Sequence, residues 1–133
     1  MIRKINFLIP NIDDGGIEKN LIILSDFFIT KNYDVRIIYS RISVKIKNKL
    51  NPKISLIKSK KFFYLDFFNS RINNSINCFI HCLFKVKFEK DSILFSMQDH
   101  PFGILLSLFK KIPCLIRIAN HPIGSLKFFN NFF

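Results

Sequence analysis

The stretch KINFLIPNIDDGGIEKNLIILSDFFITKNYDVRIIYS, Lys4 to Ser40, decides the fold. It opens inside a short apolar run, Ile2–Ile9, that reads as a buried strand. Pro10 ends the run, because proline has no amide to donate to a strand ladder. Asn11–Gly16 is a polar turn closing on a glycine pair, and Ile17–Lys31 then sets Ile17, Leu21, Leu24 and Phe28 on one helical stripe. Asn32 closes that helix, and Asp34–Tyr39 is a second strand. Strand, helix and strand make one βαβ unit, whose crossover should be right-handed and its strands parallel.

The rest of the chain repeats the alternation. Ser43–Leu50 reads as a short basic helix and Ile54–Ile57 as a third strand. Phe62–Lys90 contains a long helix with Leu65, Phe68, Ile72, Ile76, Phe79 and Leu83 expected on its apolar stripe. Ser92–Ser96 is a fourth strand. Pro101 suits the first helical position, so Pro101–Lys111 is a helix, and Cys114–Ile118 is a fifth strand. This order predicts an α/β, Rossmann-like, doubly wound parallel sheet over residues 1–124. The tail, residues 125–133, carries Phe128, Phe129, Phe132 and Phe133, and reads as the start of an element whose partners are missing; the chain is expected to be a fragment.

Composition narrows the function classes. The chain has 133 residues, room for one domain with a real core. Its 49% hydrophobic content excludes disorder by composition. The formal net charge is +12, which suits nucleic acid, anionic lipid or a phosphorylated substrate. The charges are scattered, though, and the sequence is rich in Lys, Ile, Asn and Phe throughout, so compositional bias is the favoured source. The densest cluster, Lys58, Lys60 and Lys61, has no nucleic-acid-binding motif around it, and no nucleic-acid partner is expected. Cys78, Cys82 and Cys114 are odd in number and lack CxxC spacing, so free thiols are expected, and Cys78, His81 and Cys82 do not suffice for a closed zinc site. No run reaches the roughly 18 apolar residues of a transmembrane helix. Polar residues interrupt the N-terminus, which argues against a signal peptide. The expected location is cytoplasmic, with peripheral contact at the inner membrane as the membrane option.

In an open parallel sheet, ligands bind beyond the carboxyl ends of the strands where the winding reverses. With the strand order 3-2-1-4-5, three loops converge there: Asn11–Gly16, Met97–His100 and Asn120–Gly124. Gly15 and Gly16 open a helix whose free amides favour an anion, although a tight turn explains a glycine pair equally well. Glu18 suits the helix dipole. His100 and His121 each follow a strand and can act as a base or hold a hydroxyl, or be ordinary loop histidines. Asp99 is read first as a helix cap. The acidic pair Asp13–Asp14 would also suit a receiver domain, but that needs an Asp ending the third strand and a Lys ending the fifth, where Lys58 and Ala119–Asn120 stand.

Lys4–Ser40, with Gly15-Gly16-Ile17-Glu18-Lys19 at its centre, resembles the opening of family 4-type glycosyltransferases. Ile93–Pro122 is similar, more loosely, to that family's fourth strand, helix and fifth strand. The resemblance implies the N-terminal, acceptor-side half of a GT-B fold, with the C-terminal donor domain absent. It implies transfer of a sugar from a nucleotide-sugar to a lipid-linked or polysaccharide acceptor, without a metal or other cofactor. Gly15 and Gly16 would then face the donor phosphates, Glu18, Asp99 and Asn120 would belong with them to the donor-phosphate and substrate site, and His100, or alternatively His121, would be the catalytic candidate. This chain alone is expected to be inactive. The competing reading is a non-enzymatic basic α/β module that binds anionic membrane or nucleic acid.

Overall fold

The structure is a computed structural model and describes residues 1–117. Strands β1 (Lys4–Leu8), β3 (Asp34–Tyr39), β5 (Ser55–Lys58), β6 (Ser92–Ser96) and β7 (Cys114–Ile116) form one sheet in the order β5-β3-β1-β6-β7. Every pairing is parallel. The first strand lies at the centre and the chain winds outward both ways, as the sequence predicts for a Rossmann-like sheet. Ile118 and the tail fall outside the described residues.

The strands alternate their side chains with period two, so the sheet has two apolar faces. Ile5, Phe7, Val35 and Ile37 meet Leu21 of α1 (Gly16–Thr30) and Ile46 of α2 (Val44–Lys49) on one face. Leu8, Ile38 and Leu94 meet Cys78 and Cys82 of α3 (Ser70–Phe84) and Leu106 of α4 (His100–Lys110) on the other. Helix α1 stops where Asn32 takes a positive φ of 64°. There the Tyr33 amide reaches Phe28 O at 3.0 Å and the Asn32 amide reaches Ile29 O at 3.0 Å, the paired bonds of a Schellman stop.

Two features depart from the sequence reading. Past Pro10, the short strand β2 (Asn11–Ile12) pairs in parallel with β4 (Arg41–Ile42), so the chain leaving β1 and the chain leaving β3 stay bound beyond the main sheet. The second concerns α3, which begins at Ser70, so Leu65 and Phe68 precede it. Its buried residues are Asn73, Ser75, Asn77, Cys78, His81 and Cys82, while Ile72 is exposed. The expected apolar stripe is thus rotated away from the interior in the first turns. Asparagine turns inward because it has backbone to satisfy. Asn73 accepts from the Leu65 amide and donates to the carbonyls of Leu65, Phe68 and Asn69. Asn77 accepts from the amides of Phe62 and Phe63 and donates to Phe63 O. Two side chains thereby replace the backbone partners that the irregular segment 59–69 lacks.

Candidate functional site

The loops after β1 and β6 lie side by side, held by a single amide. Gln98 Oε1 accepts from the Asn11 amide at 3.1 Å, and Gln98 Nε2 donates to Asn11 O at 2.8 Å. Asn11 is buried, and its side chain bonds Asn74 (2.8 Å) and Arg71 O (3.3 Å) of α3. Asp13 faces Arg71 at 3.4 Å and Arg41 at 3.7 Å. The switch point between β1 and β6 is therefore a knot of polar contacts drawn from four segments.

Gly15 sits at the N-cap of α1 in extended backbone, with no side-chain cap bond. The first-turn amides of α1 are left open to an outside acceptor. Glu18 folds back over this end: it is buried and its Oε1 accepts from the Asp13 amide at 3.2 Å. A Cβ on Gly15 would lie 2.9 Å from Glu18 Oε2, so the carboxylate needs the glycine to lie where it does. An anion approaching Gly15 meets that carboxylate. Gly16 differs, because a Cβ built there meets nothing within 4 Å.

Asp99 occupies the N-cap position of α4 with φ 49° and ψ 54°, but its side chain makes no capping bond. The capping role expected from sequence is incorrect. The carboxylate instead accepts from the Ser75 hydroxyl of α3, which ties the β6 loop to that helix. His100 is half-buried in the first turn of α4 beside the β6 end, its Nδ1 3.1 Å from Ser96 Oγ. Ser96 Oγ also lies 3.3 Å from Gln98 O, to which only the hydroxyl can donate. With the hydroxyl proton given to Gln98, Nδ1–H donates to Oγ, and in the neutral ring Nε2 then carries the lone pair. That tautomer, assigned from the network, can accept a proton from a hydroxyl. Gly103 lets α4 come this close: a Cβ there would fall 2.6 Å from Ser96 Oγ and 2.7 Å from Ser96 Cβ.

Gly15, Gly16, Glu18, Asp99 and His100 all lie on the two adjoining loops or the helix starts that follow them. Asn120, His121 and Gly124 lie outside the described residues. Sequence reasoning missed the structural roles of Gln98, Asn11 and Ser75, whose partners are remote in the chain, and of Ser96, whose partners Gln98 and His100 are local but meet it only once the β6 loop has turned into α4. Among the described residues, no three His, Cys, Asp or Glu side chains gather as a metal ion would require. The cysteines are free, and the Cys78 thiol is held well above its usual range by its hydrogen bond with Cys82 and then by burial. No helix among the described residues is long and apolar enough to cross a membrane.

Fold and loops define a Rossmann-like α/β protein with a polar switch point. No protein-family model matches the chain, and no curated protein matches it either.

Proposed function

We propose that the chain is the acceptor-side domain of a GT-B-type glycosyltransferase, in which Gly16 and the first-turn amides of α1 approach the donor phosphates and His100 Nε2 receives or orients the acceptor hydroxyl. The observation that carries the reading is Gly16. It occupies the first helical position, where alanine is the better helix former, and its own protein leaves open space around it. Packing gives no reason for glycine there, whereas close approach of a ligand does. The strand order, with the loop at the switch point, agrees with this reading. The analogy of fold adds to the case without fixing the substrate.

In this reading a second domain presents the nucleotide-sugar, and catalysis depends on holding donor and acceptor in register. The test is to supply the chain with a separately expressed donor-side domain and assay a panel of sugar nucleotides. Transfer should require both parts. Gly16→Ala should reduce transfer without lowering the thermal midpoint, and His100→Ala should cost about 100-fold or more in kcat. Robust turnover by the chain alone, or full activity of both variants, would overturn the reading.

A further inference from the structure

At the carboxyl ends of β3 and β5, beside the switch point, lies a cleft of about 530 Å³. Arg41, Lys47, Lys58 and Lys61 line it, with Ser40 and Asn74 among the neutral groups, and no acidic residue contributes. Among the described residues Lys47, Lys58 and Lys61 have no ion-pair partner, and Arg41 has Asp13 at 3.7 Å, a carboxylate it shares with Arg71. Four like charges around one concavity repel one another, and a bound anion relieves that repulsion. The amino end of the sheet makes an instructive contrast. It carries a cleft of similar size, about 510 Å³, whose cations are Lys4, Arg36 and Lys53, but Asp34 lines it too, Lys4 is paired with Glu89 at 2.5 Å, and Arg36 donates to Asn6 and the Lys87 carbonyl.

A second observation, independent of charge, lies at the same place. The segment between the lining residues Lys61 and Ser70 exposes Phe62, Phe63, Tyr64 and Phe67, the last of them 78% exposed. These rings are not on a slack loop. Asn73 and Asn77 satisfy the segment's backbone from below, so the polar atoms are tied inward while the aromatic side chains face out. Several exposed aromatics held in one segment beside lysines suit a membrane–water interface, where rings sit at headgroup level and ammonium groups meet lipid phosphates.

We propose that the Arg41–Lys47–Lys58–Lys61 cleft binds the phosphate headgroup of an anionic membrane lipid, with the Phe62–Phe67 segment seated in the interfacial layer. The inference does not depend on glycosyl transfer, because it rests on charge and exposed aromatic surface alone. Should the transferase reading also hold, the same contact would bring the β1–β6 loops to the membrane surface.

The experiment is vesicle sedimentation of the purified chain, with phosphatidylcholine vesicles containing or lacking phosphatidylglycerol. The chain should bind the anionic vesicles and not the neutral ones. Neutralising the cleft with Lys47→Ser, Lys58→Ser and Lys61→Ser should weaken binding by about five-fold per lysine, about 100-fold together. Phe62→Ser with Phe67→Ser should weaken it by about ten-fold or more while leaving the salt dependence in place. Circular dichroism checks that each variant is folded, and Lys58→Ser alone serves where the triple variant is not. Glycerol phosphate in solution is the competing source of the same chemistry and should not displace the vesicles. Equal binding to neutral vesicles, unchanged binding of the folded lysine variants, or full displacement by glycerol phosphate would overturn the proposal. None of these outcomes reads sugar transfer, so the proposed enzymatic function stands or falls separately.

Discussion

The carboxyl edge of the sheet has two neighbouring regions built on opposite plans. At the centre, where β1 and β6 end, the polar groups described above are answered from within: Gln98 by Asn11, Glu18 by the Asp13 amide, Asp99 by Ser75. On the flank, where β3 and β5 end, Lys47, Lys58 and Lys61 have no ion-pair partner among the described residues. A polar group paired internally stabilises the fold and is expensive to remove; an unpaired cation on the surface contributes little stability and is available to a partner. The two regions should therefore separate under mutation, the centre through stability and the flank through binding.

The largest break should come at Gly103. Its missing Cβ is the space that Ser96 fills, and Ser96 cannot withdraw without moving β6. Gly103→Ala should destabilise by about 3 kcal/mol, read from the denaturant midpoint, through overpacking. Ser96→Gly in the same chain should restore much of that loss; no restoration would mean that the contact is not the cause. Next is Gln98→Leu, which leaves the amide and carbonyl of buried Asn11 without their partner and should cost about 2 kcal/mol. On the flank, Lys58→Ser should change stability by less than about 0.5 kcal/mol. A loss at Lys58 as large as that at Gln98 would erase the contrast between the two regions.

Glu18→Ala comes third. Its carboxylate accepts from the Asp13 amide and lies at the positive end of α1, so its loss should cost about 1 kcal/mol. It should also open Gly15 to anions. A variant less stable than the parent but binding phosphate more tightly would show that the glutamate guards this helix end, whereas weaker phosphate binding would show that it helps build the site.

The sheet was legible in the sequence because its signals are local. Apolar runs such as Asp34–Tyr39 and the 3.6-residue spacing through Leu21, Leu24 and Phe28 need no distant partner to be read. Pro101 and Asn32 marked a helix start and stop through their own backbone preferences. Helix α3 was harder. Its polar inward face exists because segment 59–69 has amides to satisfy, and that need is invisible until the segment is folded against it. Asn73 and Asn77, one helical turn apart, were the available signal. Asp99 looked like a cap because aspartate before His-Pro usually is one; the left-handed backbone turned its carboxylate to Ser75 instead. The flank was only half visible in the sequence: Lys58 and Lys61 stand in its densest basic cluster, but Arg41 and Lys47 come from other segments that only the strand order brings to the same cleft.

The smallest effect concerns pH, and it sharpens the contrast from the flank side. His81 lies on α3 beneath the segment that carries the lysines and aromatics: the Lys60 amide is 3.5 Å from its Nδ1, and the Phe62 ring centroid is 6.2 Å from its own. Burial pushes the His81 pKa down, and nearby Lys60 and Lys85 push it the same way. The folded state thus holds a proton on this ring less tightly than the unfolded chain does. The neutral ring's contribution is fully present above the ordinary histidine value of about 6.5 and is lost as pH falls through the depressed folded value. As pH falls below about 6.5 the wild-type chain should lose more stability than His81→Gln, which stays neutral throughout, read as a larger drop in denaturant midpoint. The carboxylates of Asp14 and Glu89, held below their usual range by hydrogen bonds with Lys45 and Lys4, titrate in both proteins and cancel in the difference. If the loss begins in the segment that His81 supports, the protection of the Lys60–Phe63 amides, taken relative to the intrinsic exchange rate at each pH, should fall on acidification before that of Asn11–Gly16 does. An equal fall in protection in both would mean that the two regions open as one unit and that their contrast is one of charge alone.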